Sequence, residues 1–520
     1  MTRFALSDSE RLSALLITSG TAFIAFGALW TYFATGDKAY VAAILAAYLV
    51  IWCLLDLRVA ALCLVVLGCV IPDDDAGSVH LGFVTFSSLD LMLYLGLALV
   101  LLRHRQSLLK GAFSLPILLL LAAATVGAFV GLKNGADISG VNQFYRRFLP
   151  ILGYFVVKQA FRGRSRELAY WLMTIVGVGS AVMLIGVFTH TRFLQAGTAR
   201  DYVTTAGVTT SVDRIDGPLL RLITVLLALV LSTELLRMKK AVRFLLIAGF
   251  VVLEAYSFTR SSWTPLILVA ILVAGVRTGR LRSMAQQIAV LVALASIALG
   301  AANAGLMGEF GHSLYARASS VVNPQTVDDT SFTDRSNEDS EATHTIANNP
   351  FFGVGIGNGY GVYDATYVPS SGAVVVVAQM FIHNTYLGIW VWLGLLGIVA
   401  MAFLAWRILA VAVSLWRNHG PGAVSPLAAA LGVLCLGIQS SFQTNLFYAP
   451  AITSLVVMLA YIDCWRAEHP TPTPAQREAS EREASGQDAS GQGTSGQGAS
   501  RRESERSVAV YGDSVEVISA

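Results

Sequence analysis

The sequence predicts an all-α polytopic membrane protein, and three observations predict it. Of 520 residues, 55% are hydrophobic and 13% charged, against roughly 25% charged in a soluble domain; a water-facing core cannot hide that much apolar surface. Apolar runs long enough to cross a ~30 Å hydrocarbon layer recur along most of the chain. Successive loops alternate between basic and non-basic, which fixes an orientation for each run. The mean hydropathy of +0.62 agrees.

Polar Met1–Arg11 precedes an apolar run from Leu12 to about Ala34. That run is longer than a signal-peptide core and lacks a clear small-x-small cleavage site, so a retained first helix is expected. Further apolar segments lie at 39–55, 59–71, 83–102, 113–132, 144–161, 168–189, 219–236, 244–258, 263–276, 286–304, 385–406, 426–447 and 450–465. Segments 59–71 and 263–276 are short for a full crossing, so the expected number is twelve to fourteen. One set of loops holds Arg103, Arg105 and Lys110, then Arg162, Arg164 and Arg166, then Arg237, Lys239, Lys240 and Arg243, then Arg277, Arg280 and Arg282, then Arg407 and Arg417. The other holds Asp73–Asp75, the loop 190–218 and the long loop 305–384. The basic set marks the cytoplasmic side. Both termini are then cytoplasmic, the long loop is extracytoplasmic, and the phase of the alternation favours fourteen helices.

A loop of this length has a structure or task of its own, and a short helix over Asp334–Asn348 is expected within it. Its Gly353-x-Gly355-x-Gly357 run puts Asn358 and Tyr360 where a dinucleotide fingerprint needs its third glycine, and no strand–helix context surrounds it. It reads as a flexible turn allowing close backbone packing, not as a nucleotide site. Cys53, Cys63, Cys69, Cys435 and Cys464 all sit in or beside apolar runs without Cys-x-x-Cys spacing, which argues against a disulfide framework or a zinc site. The transmembrane domain is assigned to 1–466. From 467 to 520 a Thr-Pro-Thr-Pro segment, Arg/Glu-rich sequence and a repeated Ser-Gly-Gln predict a disordered cytoplasmic tail, since such composition cannot offset its ordering entropy.

Three positions combine charge with the outer membrane boundary. Arg260 lies in the break Tyr256-Ser257-Phe258-Thr259-Arg260-Ser261-Ser262-Trp263, Arg335 in the long loop, and His383 at the head of an apolar segment. Arginines on the side that positive charge avoids suit phosphate, whose oxygens the guanidinium fork matches. Each has a plainer reading as well. Arg260 fits a snorkelling side chain, Arg335 an ion pair within Asp328, Asp329, Asp334, Glu338 and Asp339, and His383 a satisfied helix-start histidine. Arg147, Arg214 and Arg221 carry the same two readings.

Over about 214–400 the sequence resembles the O-antigen ligase/polymerase family of membrane glycosyltransferases. The resemblance is carried by Thr259-Arg260-Ser261-Ser262-Trp263, Arg335, Asn349-Pro350-Phe351-Phe352-Gly353-Val354-Gly355-Ile356-Gly357, His383-Asn384-Thr385-Tyr386-Leu387 and Leu393-Gly394-Leu395-Leu396-Gly397, in that order. Arg214-Ile215-Asp216-Gly217 is similar to the family's Arg-x-x-Gly element. The aromatic that usually follows the outer-loop arginine is replaced here by Glu338-Asp339.

The resemblance implies a GT-C-like helical bundle in the cytoplasmic (inner) membrane with an extracytoplasmic active site. It implies transfer of a glycan from a polyprenyl-diphosphate carrier to a hydroxyl on a glycan, lipid or protein acceptor, in envelope polysaccharide synthesis. His383, Arg260 and Arg335 are the implied catalytic residues. Arg214, Arg221, Asn384, Gly355 and Gly357 are the implied substrate-binding residues. His383 is expected either to accept the hydroxyl proton or to hydrogen-bond the diphosphate. An inverting, cofactor-free reaction is expected. Two arginines facing a good leaving group require no metal, and adjacent Asp328-Asp329 lack Asp-x-Asp spacing. The partners are then the donor, the acceptor and the bilayer, with no nucleic acid. A ligase and a repeat-unit polymerase share this chemistry, and both remain open. A lipid-linked glycan flippase is the third reading; it calls for ionisable residues near the midplane, for which Asp90, Glu234 and Glu254 are the candidates.

Overall fold

Asp56 separates the first two helices of the computed structural model, which describes residues 38–71, 78–81, 84–189, 200–205, 208–213, 217–232, 240–257, 260–278, 330–368, 373–378, 382–443 and 448–470, with isolated positions from 300 to 315. Contacts divide the chain into residues 1–470 and 471–520, and every element below belongs to the first unit. The segment 12–34, most of 286–304, Arg214, Glu234 and the tail from Thr471 lie outside the described residues.

Helix α1 spans Lys38–Leu55 and α2 spans Leu57–Cys69. The Asp56 carboxylate caps α2 by accepting from the Arg58 N–H at 2.9 Å. Strands β1 (Ser78–Leu81) and β2 (Val84–Ser87) pair antiparallel before α3 (Ser88–His104). Then come α4 (Ser114–Lys133), α5 (Ile138–Arg146), α6 (Gly153–Ala160) and α7 (Ser165–Thr189). A second hairpin, β3 (Arg200–Thr205) with β4 (Val208–Asp213), precedes α8 (Leu219–Leu231), α9 (Lys240–Ser257) and α10 (Arg260–Thr278). Helix α11 covers Thr330–Asn348, β5 (Val362–Val368) pairs with β6 (Ala373–Ala378), and α12 (Thr385–His419), α13 (Val424–Gln439) and α14 (Ala449–Glu468) complete the bundle.

Most predicted segments emerge as helices, and the helix expected over 334–348 is α11. Three expectations change. The all-α reading gains three two-stranded sheets; two lie in loops assigned to the outside, and β2 of the first takes the start of the segment 83–102. In the second, Val208-Thr209-Thr210 pairs with Val203-Thr204-Thr205; β-branched residues suit a pleated ribbon. The segment 144–161 is not one crossing helix. It breaks into the end of α5, a 3₁₀ turn over Leu149–Leu152 carrying Pro150, and α6, because proline supplies no N–H to an α-helical ladder. Asp90 stands in the first turn of α3, not near the midplane. It completes a capping box with Ser87 and receives Arg146 Nε at 2.8 Å, so its charge is balanced by a cap and an arginine.

Among the described residues, Ser114–Lys133, Ser165–Gly186 and Thr385–His419 are long and apolar enough to cross a membrane; Leu57–Cys69, Leu219–Leu231 and Val424–Gln439 are apolar but shorter. Helix α14 is buried on every side from Pro450 to Trp465, which is what uniform hydrophobicity demands of a central helix. Leu115, Phe129, Trp171, Val178 and Val399 are exposed on the flanking helices, as a lipid-facing rim requires. Packing rests on small residues. A β-carbon on Gly96 would meet Val156 at 2.9 Å, and one on Gly432 the Val225 carbonyl oxygen at 2.9 Å. Close backbone approach is the main source of helix affinity where lipid is as apolar as leucine.

At the basic end, Asp463 of α14 is a staple. It accepts from the Tyr154 hydroxyl and from the Ala112 N–H at 3.0 Å. Lys158 nearby donates to the Leu108 carbonyl at 2.8 Å and to Ser114 Oγ at 3.2 Å. Asp463→Ala strands a buried hydroxyl and a buried N–H, costing about 2–4 kcal/mol. A lowered thermal transition of the detergent-solubilised protein is the expected reading, and an unchanged one would remove Asp463 from the set of fold determinants.

Candidate active site

The site is assembled by the long loop, and a rigid plug holds it. Residues 349–361 wedge between the C-terminal end of α4 and the first turns of α12. Ile356 N–H donates to the Gly127 carbonyl at 2.9 Å, Val354 N–H to the Val391 carbonyl at 2.7 Å, and Leu395 N–H to Pro350 and Phe351 carbonyls at 3.1 and 3.0 Å. Asn134 and Asn358 side chains both donate to the Val354 carbonyl, at 3.0 and 2.9 Å. The indoles of Trp390 and Trp392 donate to the carbonyls of Pro350 and Asn358, each at 3.0 Å. Close packing of the glycine run was the expectation; its flexibility was not correct, because nearly every turn of the segment is hydrogen-bonded to a helix.

Two glycine motifs explain one another. Gly394 interrupts α12 at φ 64° and ψ −160°, a conformation that disfavours any side chain. A β-carbon there would stand 2.2 Å from the Phe351 carbonyl oxygen, and one on Gly353 2.3 Å from that of Val391. Gly127 and Gly131, one helical turn apart on α4, form the opposite wall; a β-carbon on Gly131 would stand 2.0 Å from the Ile356 carbonyl oxygen. Gly355 lies against the backbone of Val130 and Gly131, and Gly357 against Val141 of α5. Both of these candidate binding residues therefore have a packing role in the structure.

His383 sits just past this plug. Asn384 is the N-cap of α12, its side-chain oxygen accepting from Tyr386 and Leu387 N–H at 3.1 and 3.4 Å. Thr385 N–H donates to the Ser440 carbonyl at 2.8 Å, and the Tyr386 hydroxyl to the Gly437 carbonyl at 2.6 Å. The turn is thus clamped to α13, which fixes the backbone of His383. From the other side comes α11, an otherwise polar helix that buries Ala342 and Ile346 on one stripe. Thr345 Oγ1 donates to the Tyr360 carbonyl at 2.8 Å, and this seats the helix on the plug.

Helix α11 brings Glu338 to the histidine. Oε2 of Glu338 lies 2.8 Å from His383 Nδ1 and accepts the His383 backbone N–H at 3.1 Å. The carboxylate is nearly covered, at 11% side-chain exposure, whereas the imidazole is 46% exposed. Partial burial alone would raise the Glu338 carboxyl, but the His383 hydrogen bonds and the charges of His383 and Arg335 outweigh it and hold it below the ordinary value. Next to it, Asp339 is pushed up by burial and by the charge of Glu338. An ionised carboxylate can only accept, so Nδ1 is the donor in this contact, and of the two neutral tautomers it selects the one whose Nε2 is an acceptor.

Arg335 lies half-buried one turn before Glu338 on the same helix, and its charge reaches Glu338. The structure thus brings Arg335 and His383 together through Glu338, which the sequence offers as one of five possible ion-pair partners of Arg335 and as a departure from a motif, not as a partner of the histidine. The available signal was the three-residue spacing Arg335–Glu338 inside a segment already expected to be helical, which puts both on one face.

The other candidates lie on α8 to α10. Arg260 is the first residue of α10; its side chain lies outside the described residues. Arg221 is half-buried in the first turn of α8. Between them, Glu254 of α9 is buried, with Oε1 3.2 Å from Thr224 Oγ1, and its carbonyl accepts the Trp263 indole N–H at 2.8 Å. That last bond folds the first turn of α10 back onto α9. No group of three or more His, Cys, Asp or Glu residues with metal-holding geometry occurs among the described residues.

Residues 243–402 match the family model for O-antigen ligase. The match contains Arg260, Arg335, Glu338, the plug and the His383 turn, and leaves out Arg214 and Arg221. No curated protein matches the chain.

Proposed function

We propose, from the match of residues 243–402 to the O-antigen ligase family, that this chain is a glycosyl-transferring membrane protein and moves a glycan from a polyprenyl-diphosphate carrier to an acceptor hydroxyl at the outer face of the cytoplasmic membrane. The observation that carries the reading is the Glu338–His383 pair at the mouth of an apolar bundle. A carboxylate that orients an imidazole and leaves Nε2 available is the arrangement a general base requires; of the two roles open to His383, this pairing favours proton acceptance over diphosphate binding.

In the proposed step the acceptor oxygen attacks the anomeric carbon on the face opposite the diphosphate. One C–O bond forms, the bond to the phosphate oxygen breaks with its electron pair leaving on the diphosphate, and the hydroxyl proton passes to His383 Nε2. The anomeric configuration inverts. Arg260 and Arg335 are assigned to the charge that develops on the diphosphate, in a partly dehydrated site where fixed charges count for more than in water. Arg214 and Arg221 are assigned to donor binding and Asn384 to holding the turn.

His383→Ala and Arg260→Ala are expected to abolish transfer at unchanged membrane abundance, and Arg260→Lys to fail as well, because an ammonium cannot replace the planar fork. The test is the glycan profile of cells lacking the protein or carrying these variants, with lipid-linked and transferred material separated. Long chains stranded on the carrier identify a ligase, and single repeat units identify a polymerase. Repeat units trapped in the inner leaflet, or an unchanged profile, would overturn the proposal.

A further inference from the structure

At the opposite end of the bundle from His383, four arginines surround one open basin. It has a volume of about 460 Å³ and is walled by the α1–α2 junction, the last turn of α3 and the turn after α6. Arg58, Arg103, Arg162 and Arg164 line it with His104, and Asp56 is the single carboxylate in the lining. Charge of one sign in a concave wall focuses potential and draws counter-ions.

The four arginines are not equivalent. Arg58 grips Asp56 through Nε at 2.9 Å and reaches Glu167 through Nη1 at 2.8 Å. Arg164 lies 3.6 Å from the same Glu167. Arg58 thereby ties α2 to α7, and Arg164 makes a local pair at the start of α7; both charges are already partnered. Arg103 reaches the Leu54 carbonyl, a neutral partner, and among the described residues it forms no ion pair. Arg162 is exposed on the turn and shares the basin wall with the other three arginines and His104. The floor is Gln159, tied to Ser107 through its amide at 3.1 Å and its carbonyl at 3.2 Å.

The surroundings choose the kind of anion. Immediately deeper along α1 and α3, Ile51, Leu55, Leu101 and Leu102 are exposed, Leu102 at 82%. These apolar faces run straight into the basin, so one molecule can lay hydrocarbon along them and a phosphate among Arg103 and Arg162. A free phosphate would use only half of that surface. Basic residues in these loops also assign this end to the cytoplasmic leaflet, where pockets of this composition take anionic headgroups.

We propose that the basin is a binding site for the phosphodiester headgroup of an anionic phospholipid of the inner leaflet, separate from the glycan site and independent of its assignment.

The test is native mass spectrometry of the full chain released from detergent, titrated in turn with phosphatidylglycerol, phosphatidylcholine and inorganic phosphate. One phosphatidylglycerol is expected to stay bound, phosphatidylcholine is not, and millimolar phosphate does not displace the bound lipid. Arg103→Gln with Arg162→Gln should weaken retention about tenfold or more. Lys110→Gln with Arg417→Gln removes the same charge from exposed positions outside the lining and should leave retention unchanged. Equal retention in the two double variants, or equal retention of the two lipids, overturns the site. Ready displacement by inorganic phosphate overturns the lipid assignment.

Discussion

Glu338→Ala lowers the turnover of glycan transfer by about 100-fold or more while the protein remains inserted and abundant. General-base catalysis contributes on the order of 10²–10⁴, and an imidazole without its orienting carboxylate loses the tautomer and angle on which that contribution rests. Because Glu338 is 2.8 Å from Nδ1 and is not assigned to substrate, the loss should fall on kcat with little change in KM. Glu338→Asp should recover part of it, since the carboxylate survives on a shorter stem. A fall in KM affinity with turnover unchanged, or failure of the aspartate to recover anything while alanine is fully folded, would reduce Glu338 to a helix tether.

The same contact has a pH consequence. The Glu338 carboxyl is held below its ordinary value, so its ionised form contributes stability above the ordinary carboxylate range. That contribution is lost as pH falls through the depressed value. The tie between α11 and the His383 turn therefore holds at neutral and mildly acidic pH and loosens only in stronger acid. Hydrogen exchange at the start of α12, compared at pH 7 and at pH 3 after correction for intrinsic rates, reads this directly; equal protection would contradict it.

The second large effect is expected far from any charge. Gly131→Ala places a methyl carbon 2.0 Å from the Ile356 carbonyl oxygen, a backbone atom that cannot swing aside. Relief requires the plug to lift from α4, which breaks the Ile356–Gly127 hydrogen bond and the seat of α11. Overpacking costs about 1–3 kcal/mol where side chains can yield, and here backbone must yield, so the upper part of that range is the expectation. Transfer should be lost and residues 349–361 should become accessible to protease. Gly153→Ala is the control, because its added carbon meets Val456 only at an ordinary 3.7 Å. Wild-type activity in Gly131→Ala would mean that the plug does not position His383.

Much of this architecture was legible as one-dimensional pattern. Helices α4 and α7 lie almost where hydropathy put them, because a bilayer rewards length and apolarity with no regard to partners. The hairpins are harder to see, because loop charge does not report them; their signal is β-branched alternation, as in Val203–Thr205 and Val208–Thr210, which only two residues separate. Pro150 is the residue in the segment 144–161 that marks its break.

Apolar runs suited to a membrane, the alternation of basic and non-basic loops, and the place of Arg335 and His383 within one long polar stretch are all readable in one dimension, since they follow from local composition and from a motif of fixed order. What the glycines and Glu338 are for emerges from packing in three dimensions. Gly131 and Ile356 are more than 200 residues apart, as are Gly127 and the plug, and Glu338 meets His383 across 45 residues. A close approach is a property of two surfaces, and a sequence states each surface separately; the pairing of carboxylate with imidazole becomes visible when packing on the plug has set the angle of α11.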